Sequence, residues 1–224
     1  MISQSARKNI VSVPPQGRRR RILCFGDSLT LGTCENDQYE PYGKTLSESL
    51  AKSGLPCEVV VRGLGGCSAR EMAAKVHSTE IRNVRGHVCS GLWVILQSEA
   101  PLDLVLIMLG TNDLGMGDSP KTIVSNVARL HDLCHMRGIP TILLAPSSLA
   151  SGPLRAGREQ LADVLSSWAQ SRPLVKAFID SEELVPRGTG SALYDPDGLH
   201  FSAMGSRTLG QSLTPWLWPF LGAC

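Results

Sequence analysis

Apolar residues in this chain gather in short unbroken runs separated by stretches with helical periodicity. The runs are RILCFGD (21–27), CEVVVRG (57–63), DLVLIML (103–109), PTILLAP (140–146) and LVKAFID (174–180). Most of each run is apolar on both faces, which suits parallel strands covered by helices on either side. The best marked helix begins after Ser119, a natural cap, with Pro120 in the first helical position. Ile123, Val127, Leu130 and Cys134 recur on one of its faces, Gly138 stops it and Pro140 prevents its resumption. Further helices are expected near 43–53, 68–77, 88–99, 157–171 and 202–213. The alternation of strand and helix predicts one doubly wound, three-layer α/β/α domain with a five-stranded parallel sheet. In the helix expected near 88–99, Leu92, Ile95 and Leu96 share a face, whereas Trp93 and Val94 point elsewhere. A helix apolar on more than one side needs cover, from a loop of the same chain or from a second subunit.

A chain of 224 residues buries enough surface for one core without covalent staples. Its seven cysteines contain no C-x-x-C pair and are odd in number, so they read as reduced thiols in a cytoplasmic protein, with no zinc site. The longest apolar run, LVLIML at 104–109, is far too short to span a bilayer, so no membrane partner is expected.

Charge changes the picture at one end only. Residues 1–21 hold six Lys and Arg and no acid, which leaves the remainder with 16 basic against 20 acidic residues, a net −4. Residues 1–20 are therefore read as a basic flexible tail and 21–224 as the domain. GRRRR at 17–21 lacks interleaved aromatics and the body is acidic, so no nucleic-acid partner is expected. An acid-free start with Ser and Arg is also the composition of an organelle transit peptide.

In such sheets function collects in the loops at the carboxyl ends of the strands. GDSLTLG (26–32), RGLGGCSA (62–69), LGTNDLG (109–115) and DPDGLH (195–200) occupy those places and concentrate Gly, Asp, Asn, Ser and His. A serine hydroxyl attacks an acyl carbon only when a base takes its proton and an acid orients the base. Ser28 is the candidate nucleophile, although a serine at a strand end also serves to cap a helix. No G-x-S-x-G elbow occurs. Among five histidines, His77, His87, His131 and His135 fall in or beside helical segments, where packing or solvation accounts for them. His200 instead follows an Asp-Gly turn, with Asp197 three residues before it, a spacing that folds the carboxylate back onto the ring. Asp195 is the competing carboxylate, but before Pro196 it reads as a turn former. Oxyanion donors would come from the Ser28 N–H, the Gly66 N–H and the Asn112 carboxamide. Asp27 shapes the turn and is not a reactant.

These blocks together resemble the GDSL, or SGNH, hydrolases, named for Ser, Gly, Asn and His in four motifs. FGDSLTLG resembles the first with Ser28, RGLGGCSA the second with Gly66, MLGTND the third with Asn112, and DGLHFSAMG the last with Asp197 and His200. The resemblance runs over about 21–218 and looks closest to the arylesterase and perhydrolase branch. It implies a flavodoxin-like fold, no cofactor and no metal, and hydrolysis of small-molecule carboxylic esters with short acyl or aryl groups through an acyl-enzyme. The segment around Trp93 corresponds to one that builds oligomers in that branch, so a homo-oligomer is expected. Carbohydrate acetyl esters, lipids, thioesters or transfer to another acceptor are alternatives within the family, and a non-catalytic binding module is the rival outside it. Two positions depart from the second motif: Arg62 stands where Asn is common, and Cys67 follows the oxyanion glycine.

Overall fold

The structure is a computed structural model and describes residues 18–83, 85–147, 153–188 and 191–222. Residues 1–17, most of the basic tail, lie outside the described residues, as does part of LVPRGTGS (184–191). The chain runs β1 (Arg20–Gly26), α1 (Ser28–Leu31), α2 (Tyr42–Lys52), β2 (Cys57–Gly63), α3 (Ala69–Ala74), β3 (Ile81–Arg82), β4 (Val88–Cys89), α4 (Leu92–Ser98), β5 (Leu104–Met108) and α5 (Thr111–Gly115). It continues through α6 (Pro120–His135), β6 (Thr141–Ala145), α7 (Pro153–Gln170), β7 (Val175–Asp180), α8 (Ser181–Leu184) and α9 (Ala203–Leu221).

The five expected strands form one parallel sheet in the order β2-β1-β5-β6-β7. Because side chains alternate along a strand, the apolar runs feed two cores. Ile22, Cys24, Leu104, Leu106, Ile142 and Leu144 meet α2 and α9 on one face. Leu23, Phe25, Val105, Ile107, Leu143 and Ala145 meet α3, α4, α6 and α7 on the other. From β1 the chain crosses outward to β2, then returns past β1 to β5. The β1–β5 junction is therefore the topological switch point, where a crevice opens at the carboxyl ends of the strands.

Ser119 caps α6 by accepting the Thr122 N–H, with Pro120 at its start, as the sequence predicts. The helix expected at 88–99 is shorter. Val88 and Cys89 pair with Ile81 and Arg82 in an antiparallel hairpin, and the helix begins only at Leu92. Gly91 makes that break: a Cβ there would lie 2.2 Å from the Lys75 carbonyl oxygen, so only glycine lets the chain pass so close to the end of the preceding segment. At the other end, α9 runs through Pro215 and Pro219 to Leu221, eight residues past its expected end at 213. Leu209, Leu213, Leu217 and Leu221 continue one buried stripe, and its burial outweighs the ladder bonds the prolines remove. The helices at 42–52, 69–74 and 153–170 otherwise shift by a few residues from expectation. The short helices α1, α5 and α8 are additions to it.

The Trp93 ring is covered from within the chain, by the Arg137 guanidinium 4.2 Å from its centre and by His77. The arginines at the domain's edge have acidic partners: Arg18 pairs with Asp103 at 2.6 Å, and Arg21 with Glu58 and Glu99 at 2.9 Å each. Among the described residues no helix is long and apolar enough to cross a membrane.

Candidate active site

Ser28 opens α1, at the end of β1. The cap is not Ser28 but Asp27, whose Oδ1 accepts the Leu29 N–H at 3.0 Å, which leaves the Ser28 hydroxyl available. Asp27 is completely buried, and burial pushes its carboxyl up to about 7, with the nearby Asp113 charge adding to the rise and its bond from Leu29 opposing it.

His200 arrives from the far end of the chain. Its Nε2 lies 2.9 Å from Ser28 Oγ, and its Nδ1 lies 2.6 Å from Asp197 Oδ2. The other Asp197 oxygen accepts the backbone N–H groups of Leu199 at 2.8 Å and of His200 at 2.9 Å. Partial burial works against the Asp197 anion, but the imidazole and these two N–H groups outweigh it and hold the carboxyl below the usual carboxylate range. An ionised carboxylate only accepts, so Nδ1 carries the proton and Nε2 is left to accept the Ser28 hydroxyl. The turn is fixed on both sides: the Gly198 N–H donates to the Asp195 carbonyl, and Ser147 Oγ donates to the Leu199 carbonyl, each at 3.0 Å. Asp195 thus builds the turn through its backbone, its carbonyl accepting from Gly198 and its N–H donating to the His200 carbonyl at 2.9 Å.

Gly66 and Asn112 lie in the same cleft as Ser28 and His200. Gly66 has φ +80°, a left-handed conformation that favours glycine. Asn112 sits in α5 after β5, and its Nδ2 donates to the Cys67 carbonyl at 3.0 Å, tying the third motif to the second. The neighbouring Asp113 reinforces that tie, since its carboxylate accepts the N–H groups of Ala69 and Arg70 at the start of α3 at 2.8 and 3.2 Å. Four loops from four parts of the sequence therefore meet at the switch point in a fixed arrangement.

Residues 24–208 match the GDSL-like lipase/acylhydrolase family. The chain belongs to this family. Solved structures with the same fold include a lipase/acylhydrolase from Enterococcus faecalis, with 21% identity, 88% of this chain and 95% of that one covered, and a TM-score of 0.65. A carbohydrate esterase of family 3 from Talaromyces cellulolyticus gives 17%, 91%, 98% and 0.68, and the Clostridium thermocellum family 3 carbohydrate esterase 15%, 92%, 98% and 0.70. At such identities the likeness is one of fold. A comparison with curated protein sequences gives no match.

The cleft of this GDSL-family protein has a volume of about 170 Å³. Beyond the motif residues it is lined by Tyr39, Asn83, Arg85 and His87, among others; of these the sequence draws attention only to His87, and there as a packing or solvated residue. His87 lies in the turn before β4 instead of beside a helix, and Tyr39 Oη meets its Nε2 at 3.1 Å. The signal for that turn was NVRGH at 83–87: Asn83 Oδ1 accepts the backbone N–H groups of Arg85 and His87, and a glycine follows at 86 with φ +82°. His131 and His135 are packing residues, both hydrogen-bonded to Thr141 Oγ1, and burial lowers His131 to about 3. Cys67 is 7% exposed and burial pushes its thiol up to about 11, so it stands behind the cleft as a neutral group. Arg62 pairs with Glu99 at the sheet edge. Among the described residues no group of three or more His, Cys, Asp and Glu side chains is placed to hold a metal ion.

Proposed function

We propose that the protein is a serine esterase that hydrolyses carboxylic esters of short acyl or aryl groups through an acyl-enzyme on Ser28. The observation that carries this reading is the unbroken chain from Ser28 Oγ through His200 to Asp197, at 2.9 and 2.6 Å. As Ser28 Oγ attacks the ester carbonyl, its proton passes to His200 Nε2, and Asp197 stabilises the imidazolium. The tetrahedral oxyanion is held by the Ser28 and Gly66 N–H groups and by the Asn112 carboxamide, each such donor being worth ~2.7–4 kcal/mol of barrier. Asn112 Nδ2 donates to the Cys67 carbonyl at 3.0 Å, which orients the amide, and its longer contact to Asp27 Oδ2, at 3.5 Å, is the one given up to the oxyanion. Collapse returns the His200 proton to the departing alcohol. Water, deprotonated by the same imidazole, then attacks the acyl carbon and restores Ser28.

The size of the cleft supports the short-chain preference. A volume of about 170 Å³ falls below the ~300–1,000 Å³ of pockets that enclose drug-sized ligands. Acetyl groups on carbohydrates are of the same size, and family 3 carbohydrate esterases are among the proteins of similar fold. The test is a panel of 4-nitrophenyl esters from acetate to palmitate, with an acetylated sugar beside them. Highest kcat/KM at acetate to butyrate is expected. Equal turnover of palmitate would overturn the short-chain preference, and absence of turnover on every ester would overturn the activity itself.

A further inference from the structure

We propose that Arg85 binds an anionic oxygen group carried by the substrate, so that the preferred ester bears a carboxylate or similar oxyanion close to the scissile bond. This rests on the esterase reading of the cleft and adds a substrate class to it. Among the described residues lining the cleft, Arg85 is the one with a permanent charge. It is held in register with the oxyanion loop: Asn83 accepts the Arg85 N–H at 3.0 Å, and its own Nδ2 donates to the Gly65 carbonyl at 2.8 Å. The guanidinium therefore stands on a turn pinned to the same loop that carries Gly66.

Its contact with Asp37 does not use up this charge. Nη1 meets Asp37 Oδ1 at 2.8 Å, but the two side chains are 61% and 82% exposed. A pair so open to water is worth at most ~1 kcal/mol. A guanidinium has several further N–H donors and matches a carboxylate in a two-pronged fashion. A second cavity, of about 310 Å³, lies on the Asp197 side of His200 and also includes Arg85 in its wall. Glu35, Asp37, Asp195 and Asp197 line it, and their charges oppose an anion there. The two surfaces together direct an anionic group to the Ser28 side of Arg85, next to the Tyr39–His87 wall.

Paired substrates test this. 4-Nitrophenyl hemisuccinate against 4-nitrophenyl butyrate places the anion on the acyl part, and the acetate ester of 3-hydroxybenzoate against phenyl acetate places it on the alcohol. In at least one pair the anionic ester is expected to have the higher kcat/KM. That ratio should fall about tenfold in Arg85→Gln, fall less in Arg85→Lys and rise in Asp37→Asn, which frees the guanidinium. The pair that responds identifies where the anion sits. Ratios that move in neither Arg85→Gln nor Asp37→Asn overturn the proposal while leaving esterase activity on the neutral esters in place. Binding of both anionic esters to Ser28→Ala, measured by calorimetry, gives a readout independent of turnover. It should weaken for at least one of them about tenfold when Arg85→Gln is added, and binding of both unaffected by that change overturns the proposal even if no ester is hydrolysed.

Discussion

Asp197 holds His200 by two routes at once: Oδ2 meets the ring Nδ1 at 2.6 Å while Oδ1 accepts the His200 backbone N–H at 2.9 Å. One carboxylate thus fixes both the ring and the chain that carries it. Its side chain is half exposed, so the geometry it imposes is held by hydrogen bonds at the protein surface.

Asp197→Asn keeps an acceptor for the backbone N–H groups but removes the negative charge that fixes the tautomer and stabilises the imidazolium. A loss of about 10³–10⁴ in kcat is expected, with the circular dichroism spectrum unchanged. Because hydrogen bonds hold this carboxyl low, protonation of Asp197 sets in only below the usual carboxylate range, and acid loss of activity above that range has another origin. Wild-type kinetics retained by Asp197→Asn would assign the orienting role elsewhere.

Asn112→Ala should lower kcat by about 10²–10³ with little change in KM, since the amide meets the oxyanion and not the resting ester. Steady-state kinetics on 4-nitrophenyl acetate distinguish this from a loss of binding, which would appear mainly in KM.

Asp27 gives the fold a pH dependence opposite in sign to that of a paired carboxylate. Burial raises it to about 7, so the native state binds its proton more tightly than the unfolded chain, where the group titrates near ~3.9. The stabilisation is complete below the unfolded value and is lost as pH rises through about 7. Each tenfold in proton affinity corresponds to about 1.4 kcal/mol. Asp27→Asn retains an acceptor for the Leu29 N–H and removes this dependence. Its Tm should therefore gain on that of the wild type as pH rises from about 5 to 8, and parallel curves would show that Asp27 is not the group responsible.

Cys67 follows Gly66 in sequence, yet its buried thiol, pushed up to about 11, is a poor nucleophile at neutral pH. Brief treatment with iodoacetamide near pH 7 should leave esterase activity intact. Rapid inactivation that is absent in Cys67→Ser would place this thiol in the cleft.

The strands and the four motif loops were legible because local sequence determines them. Unbroken apolar runs specify buried parallel strands; Ser28, Gly66 and Asn112 follow strand ends within a few residues, Ser28 and Asn112 in the short helices α1 and α5, and Asp197 and His200 stand in an Asp-Gly turn shortly before α9. The walls of the cleft were not legible, because they depend on contacts distant in sequence: Tyr39 meets His87, and Asn83 reaches Gly65. Gly91 looked like part of a helix, and only the closeness of the Lys75 and Val76 carbonyls shows why the chain turns there. The last helix was expected to end near 213, because what carries it on to Leu221 is a stripe of leucines every four residues whose energy lies in packing against the sheet. Trp93 and Val94 called for cover from the same chain or from a second subunit, and Arg137 and His77 lie against the Trp93 ring within one chain, a contact that does not bear on the homo-oligomer the resemblance implies. Light scattering reads the oligomeric state independently of that face.

The central claim is that Ser28 is a nucleophile activated by His200. It is tested most directly by treating the protein with a fluorophosphonate and locating the adduct by peptide mass spectrometry. A single phosphonylated peptide containing Ser28 is expected, lost in Ser28→Ala and formed at a greatly reduced rate in His200→Ala. An unmodified Ser28 in folded protein, or labelling that proceeds at the wild-type rate without His200, would contradict it.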